Sequence, residues 1–440
     1  MVETYKEFER LHFILWKMGD LTVMNKRIGK LVLCLAISLG GTTALYQNTT
    51  QAAPAGGVSI VLDGYALPFP VEPVVMSGTT MVPFRAISEA LGINVEWNQA
   101  LKKITATKTD TAGTKVVTLT LGSKNAGVNG EVVKLGVAPQ TIRNNTMIPL
   151  SFFGQQFGAG VAWDQATKTV SITSPKTDMY KLGFYALSSY SEISLLPSFD
   201  AVAFGWSGID KSGQFTTTGT DFRWPQAAGD VTPESIISNA AAGGTAPYLM
   251  VFSGDTASEL TKNLEDKVLQ EQTITGIVDL ATQKGFQGIT LDLEGLGLTG
   301  DKAKVQADYN AFVKNLSQKA HAAGLKLTVI LHPLNSSYKG YDYKTLGSLA
   351  DDLVIMAYDY LKEKKIPEPM SLVDEGIRLA LQQVSKDKLI LGISVYSENE
   401  TSVNSKVGLA KRYGLKGIAI WRVGLIGQPV WNEMGKSVEL

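Results

Sequence analysis

From residue 180 to residue 421 the chain returns again and again to a short apolar run: YKLGFYAL, AVAFGW, PYLMVF, GITLDLE, LKLTVIL, LVIMAY, LILGISVY and GIAIW. These eight runs are too short for helices and too uniformly apolar for a sheet with one wet face, so they read as strands buried on both sides. Helical stretches such as 303–323 and 374–384 lie between most of them, and a strand–helix–strand connection brings the next strand back parallel to the last. Residues 178–440 number 263, the usual size of a closed (β/α)8 TIM barrel. An open doubly wound sheet is the competing arrangement, but no glycine-rich phosphate loop follows the first strand.

Before the barrel, residues 57–173 are organised by an internal repeat. GTTMVPFRAISEALGINVEWNQALKKITAT (78–107) aligns with NNTMIPLSFFGQQFGAGVAWDQATKTVSIT (144–173), pairing Met81 with Met147, Pro83 with Pro149 and Trp97 with Trp163. LDG at 62–64 and VNG at 128–130 hold the same spacing, so the whole unit is duplicated. Each unit predicts a strand–turn–strand around Asp-Gly or Asn-Gly, a helix after the proline, then a hairpin. Phe84, Ile87, Ala90 and Leu91 share one helical face, and Gly92 ends that helix. The fold expected for the chain is therefore α/β: a TIM barrel preceded by a small α+β domain of two repeats.

The V-P-F-R-x-x-x-E-x-L-G…W pattern of this region resembles the copper amine oxidase N-terminal-like stalk domain. That resemblance implies a spacer or cell-envelope attachment module over residues 54–175. It does not imply copper, because the histidines, His12, His321 and His332, all lie elsewhere and leave no imidazole-based site here. Arg85 has Ser151 as its counterpart in the second repeat, so no function is assigned to it.

Residues 24–53 open on Met24 with a basic stretch, continue with an apolar stretch from Leu31 to Leu39, and end near Ala52 and Ala53. This is the layout of a signal peptide, and the apolar part is too short to span a bilayer. Residues 1–53 are thus expected to be a leader with Met24 as the working start; a retained N-terminal anchor is the alternative. Cys34 is the only cysteine and has only Leu31–Leu33 before it in the apolar stretch, which argues against lipidation. A chain cleaved after the leader would carry no thiol, no disulfide and no thiolate metal site. The 41 Lys+Arg balance 41 Asp+Glu, so no basic field exists for nucleic acid, and a neutral partner such as a glycan fits better.

FQGITLDLEGL (286–296) carries the chemistry. Side chains alternate along a strand, which puts Gly288, Thr290, Asp292 and Glu294 on one face and Ile289, Leu291 and Leu293 on the other. In a barrel the leucine face meets the helices, turning both acids inward at the carboxyl end of the strand, where barrel active sites lie. Alpha carbons two apart stand roughly 6.5–7 Å from each other, close enough for one charge to raise the pKa of the less solvated acid. The expected product is a protonated Glu294 beside an ionised Asp292, an acid poised over a glycosidic oxygen. On these residues alone a salt-bridged pair at a strand end is an equal reading.

This segment resembles glycoside hydrolase family 18, whose fourth strand carries D-G-x-D-x-D-x-E. Gln287, Gly288, Thr290, Asp292 and Glu294 occupy the matching positions, so the last acidic pair is kept and the first two aspartates are replaced. The resemblance implies Glu294 as general acid/base and Asp292 as the group that orients the substrate's 2-acetamido group. The acetamido oxygen then attacks the anomeric carbon, forming an oxazolinium without a carboxylate nucleophile. Met356, Tyr358 and Asp359 in VIMAYDY resemble the family's M-x-Y-D, implying that Tyr358 donates to the acetamido oxygen and Asp359 binds a hydroxyl. Trp421 in GIAIWRVG resembles the tryptophan floor of the sugar subsite, and Tyr396 in LILGISVY is a weaker pocket residue. Thr290 replaces an aspartate that shares a proton with its neighbour, implying slower turnover. No cofactor or metal is implied, since His332, after the fifth strand, has no second imidazole beside it. The readings that follow are a secreted glycosidase acting at N-acetylglucosamine in peptidoglycan or chitin-like glycans, or a glycan-binding barrel without turnover. No membrane span is expected in the mature protein.

Overall fold

The computed structural model describes residues 57–110, 113–361, 363 and 365–440; the expected leader, with its signal peptide, His12 and Cys34, lies outside them. The eight apolar runs form strands β1 (Tyr180–Tyr185), β2 (Ala201–Ile209), β3 (Ala246–Ser253), β4 (Gly288–Leu293), β5 (Lys326–Leu331), β6 (Asp352–Ile355), β7 (Leu389–Ser394) and β8 (Gly417–Val423). Each pairs parallel with the next, and β1 pairs with both β2 and β8, which closes the ring and excludes the open sheet.

Alternation along each strand divides two cores. Leu182, Phe184, Ala201, Ala203, Tyr248, Met250, Ile330, Val354, Ile390 and Ala419 meet inside the barrel. Val202, Leu249, Ile289, Leu291, Leu293 and Ile420 face outward onto the helices. There they meet Ile274 and Ile277 of α1 (Lys267–Gln283), Phe312 and Leu316 of α2 (Lys302–Ala322), Ile377 of α3 (Met370–Leu381) and Val407 of α4 (Val403–Arg412). Asp266 and Asp301 cap α1 and α2 by accepting from the free amides of the first turn. Helix α3 starts four residues before the expected 374, because Pro369, with φ −62° and ψ 110°, sets its entry and Val373 already packs in the core. Between β1 and β2 the connection is a 3₁₀ segment, Leu187–Ser198, with Pro197 inside it, in place of an α-helix.

In the preceding domain, Thr79–Pro83, Phe84–Ala90, Asn94–Asn98 and Lys103–Asp110 run strand, helix, strand, strand. Asn145–Pro149, Leu150–Gln156, Gly160–Asp164 and Thr169–Thr173 run in the same order. The two strands that lead into the helices pair antiparallel, with Met81 opposite Pro149 and Pro83 opposite Met147. Asp63-Gly64 and Asn129-Gly130 take the left-handed conformation at both turn positions, as a two-residue hairpin turn requires. Phe84, Ile87, Ala90 and Leu91 are buried together with Phe153 and Phe157.

That first turn seats on α4 of the barrel. Arg412 donates to the carbonyls of Leu62, Tyr65 and Ala66, and Lys411 Nζ donates to Pro175 O at 2.7 Å. Gly408 leaves the room for this contact, since an added Cβ would stand 2.3 Å from Asp63 Cβ. Gly408→Ala is therefore expected to destabilise the chain by about 1–3 kcal/mol. Calorimetry should show a lower Tm, together with faster proteolysis between residues 173 and 178; an unchanged Tm would mean that the turn shifts at no cost.

Candidate active site

At the carboxyl end of β4 the ladder runs one residue past the strand, Glu294 N donating to Ser253 O at 2.8 Å. Asp292 sits one step deeper and is 3% exposed, while the Glu294 side chain is 34% exposed at the mouth. Asp292 Oδ1 has no hydrogen-bond partner among the described residues, and neither do the hydroxyls of Thr290 and Thr328, neighbours across β4 and β5. A buried acceptor with nothing to bond disfavours its charged form. Burial first, and then the charge of Glu294, hold the Asp292 carboxyl well above the usual carboxylate range. Depth along the strand sets solvation, so the deeper Asp292 carboxyl is held toward its protonated form, where the strand pattern expected an ionised Asp292 beside a protonated Glu294.

Glu294 faces His332 Nε2 at 3.7 Å. Burial pushes the His332 imidazole down to about 4, against the opposing pull of Asp359, so a neutral ring faces the acid. His332 stacks on Tyr338 with ring centroids 4.0 Å apart, and its carbonyl accepts from Tyr343 Oη at 3.0 Å. Among the described residues no group of three or more His, Cys, Asp or Glu is placed to hold a metal.

Met356, Tyr358 and Asp359 follow β6 directly. Met356 is buried in the inner core, and Tyr358 packs against the same cluster. Burial and then the charges of Asp292, Glu294 and Asp359 raise the Tyr358 phenol well above its ordinary value, so it remains a hydrogen-bond donor. Gly392 on β7 makes room for its ring: an added Cβ would meet Tyr358 Cε1 at 3.0 Å. Trp421 on β8 also packs on the inner cluster, tilted 59° against Phe184 at 5.4 Å. Asp359 is exposed and adopts φ +61°. Tyr396 stands outside the inner cluster, its ring faced by Lys365 Nζ at 5.3 Å.

Two aromatic features of the mouth were not singled out in the sequence. Phe222 and Phe252 stack at 4.0 Å and 19° on the inner cluster. Phe252 continues the inward alternation of Tyr248 and Met250 and was legible from it; Phe222 lies in the irregular segment after β2, where no period applies. The same holds for Tyr338, which the loop after β5 folds back onto His332. A cavity of about 570 Å³ lies at the opposite, amino-terminal end of the barrel, lined by Tyr180, Asp200, Gln287 and Lys326 among others. It contains neither acid of the pair, and the chemistry belongs to the other end.

The family model for glycosyl hydrolases family 18 matches residues 242–405, and that for the copper amine oxidase N-terminal domain matches residues 61–172. YdhD of Bacillus subtilis (strain 168) is 27% identical over 173 residues, 38% of each chain. The cortical fragment-lytic enzyme of Bacillus anthracis is 24% identical over 267 residues, 45% of this chain and 61% of that one. The chain thus spans less than two thirds of either relative. A class V chitinase from Pseudomonas fluorescens Pf-5 shares the fold with a TM-score of 0.50 and 21% identity, over 59% of this chain and 99% of the other. The chain carries a glycosyl hydrolases family 18 domain in its barrel and a copper amine oxidase N-terminal domain before it.

Proposed function

We propose that the protein is a glycosidase that cleaves β-1,4 bonds at N-acetylglucosamine in peptidoglycan or chitin-like glycans. The observation that carries this reading is a buried Asp292, its carboxyl held above the usual range, directly beneath a partly exposed Glu294, with Tyr358 and Trp421 in the same lumen. The family of the barrel and the name of the Bacillus anthracis relative support the substrate class. The pair starts with its proton on Asp292. When a substrate's acetamido N–H donates to Asp292, the Asp292 anion gains the partner it lacks, and the proton passes to Glu294. Glu294 delivers it to the glycosidic oxygen while the acetamido oxygen, held by Tyr358, closes on the anomeric carbon. The Asp292 anion faces the positive oxazolinium. Water opens this ring, returning its proton to Glu294, and the product keeps its anomeric configuration. Trp421 offers a ring face to the apolar side of the pyranose, and Asp359, Met356, Thr290 and Tyr396 complete the binding set.

Within this reading residues 178–440 are the catalytic unit, residues 54–175 a stalk that holds it to the cell envelope, and residues 1–53 a leader for export to the wall or spore. Among the described residues no helix is long and apolar enough to cross a membrane. The test is a time-resolved proton NMR assay of the full chain on N-acetylglucosamine oligomers, with reducing-end release from purified cortex peptidoglycan in parallel. The β-anomer is expected first, with competitive inhibition by a thiazoline analogue of the oxazolinium. An α-anomer appearing first, or no release from either substrate, would overturn the proposal.

A further inference from the structure

Behind the β6 end lies a buried ionic chain that the reaction itself does not use. Lys406 on α4 is 0% exposed, and its Nζ meets Glu398 Oε1 at 3.0 Å. The same Glu398 oxygen accepts from the backbone amide of Glu368 at 3.1 Å. Glu368, 6% exposed, spends both carboxylate oxygens on backbone amides, those of Asp359 at 2.9 Å and Tyr360 at 3.1 Å. Lys406 Nζ reaches the same segment from the other side, donating to Ala357 O at 3.1 Å. Tyr358 is therefore bracketed: the carbonyl before it and the two amides after it are all held by one network.

Burying three charged groups is costly, and apolar replacements of such networks are often as stable. The return on this one is geometric, for among the described residues it holds backbone atoms of Ala357, Asp359 and Tyr360. Asp359 sits at φ +61°, a left-handed conformation uncommon for a residue other than glycine and held where neighbours impose it. The Glu368 carboxylate on its amide is such an imposed contact, and the left-handed step is what turns the chain after Tyr358.

We infer that Lys406, Glu398 and Glu368 form a clamp that positions Tyr358 and Asp359 for the substrate. The inference rests on the proposed glycosidase reading for the roles of those two residues. Glu368 is a positioning residue: it touches no substrate and acts through the backbone on either side of the Tyr358–Asp359 step.

The test is a double-mutant cycle on the full chain, with Glu368→Gln, Tyr358→Phe and both together, reading kcat and KM on N-acetylglucosamine oligomers beside Tm. Gln keeps the shape of Glu368 but turns an amide group toward one of the two N–H donors. Glu368→Gln is expected to lower kcat by about ten- to a hundredfold, the scale of a displaced reacting group. In the Tyr358→Phe background it should add no more than about twofold, the tolerance for a shared effect. Additive losses, or a lowered Tm with kcat unchanged, would overturn the clamp. Should Glu368→Gln not fold, Glu398→Gln combined with Lys406→Met removes the ion pair as a unit, and the same cycle is read with it. A wild-type chain that releases nothing would remove the proposed function instead; calorimetric titration with the oligomers then decides the clamp. Weaker binding by Glu368→Gln at unchanged Tm would support it, and an unchanged Kd would overturn it.

Discussion

Glu294→Gln is expected to lower turnover on N-acetylglucosamine oligomers by about 10²–10⁴-fold while leaving the fold intact. The magnitude is that of removing a general acid from a reaction whose leaving group needs a proton. Gln fills the same volume and keeps a polar head at a position whose side chain is 34% exposed, so the change in stability should stay within about 0.5 kcal/mol. Neutral His332, 3.7 Å away, cannot substitute as acid, because burial holds its pKa down to about 4. The readout is reducing-end release under saturating substrate, with calorimetric binding in parallel. Retained binding with lost release is the expected pair of results. Equal release by variant and wild type would eliminate Glu294 as the acid, and binding without release by the wild type itself would turn the barrel into a lectin.

The barrel was legible because its strands are buried on both faces, which leaves an apolar run with few interruptions at each strand. Period two along FQGITLDLEGL also placed Thr290, Asp292 and Glu294 on the face opposite Ile289, Leu291 and Leu293, and those three pack on the helices. Closure was expected from strand count and domain length alone, because the pairing of β1 with β8 that makes it joins Tyr180 to Gly417 across nearly the whole domain. That burial would raise the Asp292 carboxyl was not legible: adjacent inward positions differ only in depth, and depth follows from how the mouth is built. Lys406 shows the same limit from another side. By residue type it would sit at the surface, yet it lies on the face that Val403, Val407 and Ala410 bury, where Glu398 and Ala357 O converge on it from two loops that sequence spacing does not bring together.

Asp292→Asn should separate what the buried acid does for the reaction from what it costs the fold. The folded carboxyl is held above its ordinary value of 3.8, so the folded chain retains a proton that the unfolded chain has released. Stability therefore falls as pH rises above 3.8 toward the folded value, and the full penalty is present only above that folded value. Asn carries no such proton and bears no charge at any pH. It should raise Tm at neutral pH by about 2–4 °C for each kcal/mol of penalty removed, and the gain should vanish below about pH 4, where both chains are neutral at this position. Activity should move the other way. Asn neither passes a proton to Glu294 nor presents a negative charge to the oxazolinium, and loss of one such stabiliser lowers kcat by about 10²–10³-fold. A melting series from pH 3 to 8, run beside the kinetic assay, checks both halves. Normal turnover would remove Asp292 from the proton path, whereas a lower Tm at neutral pH would show that its carboxylate is stabilised where it lies. Higher stability with lower turnover is the signature of an acid kept buried for its chemistry, against the preference of the fold around it.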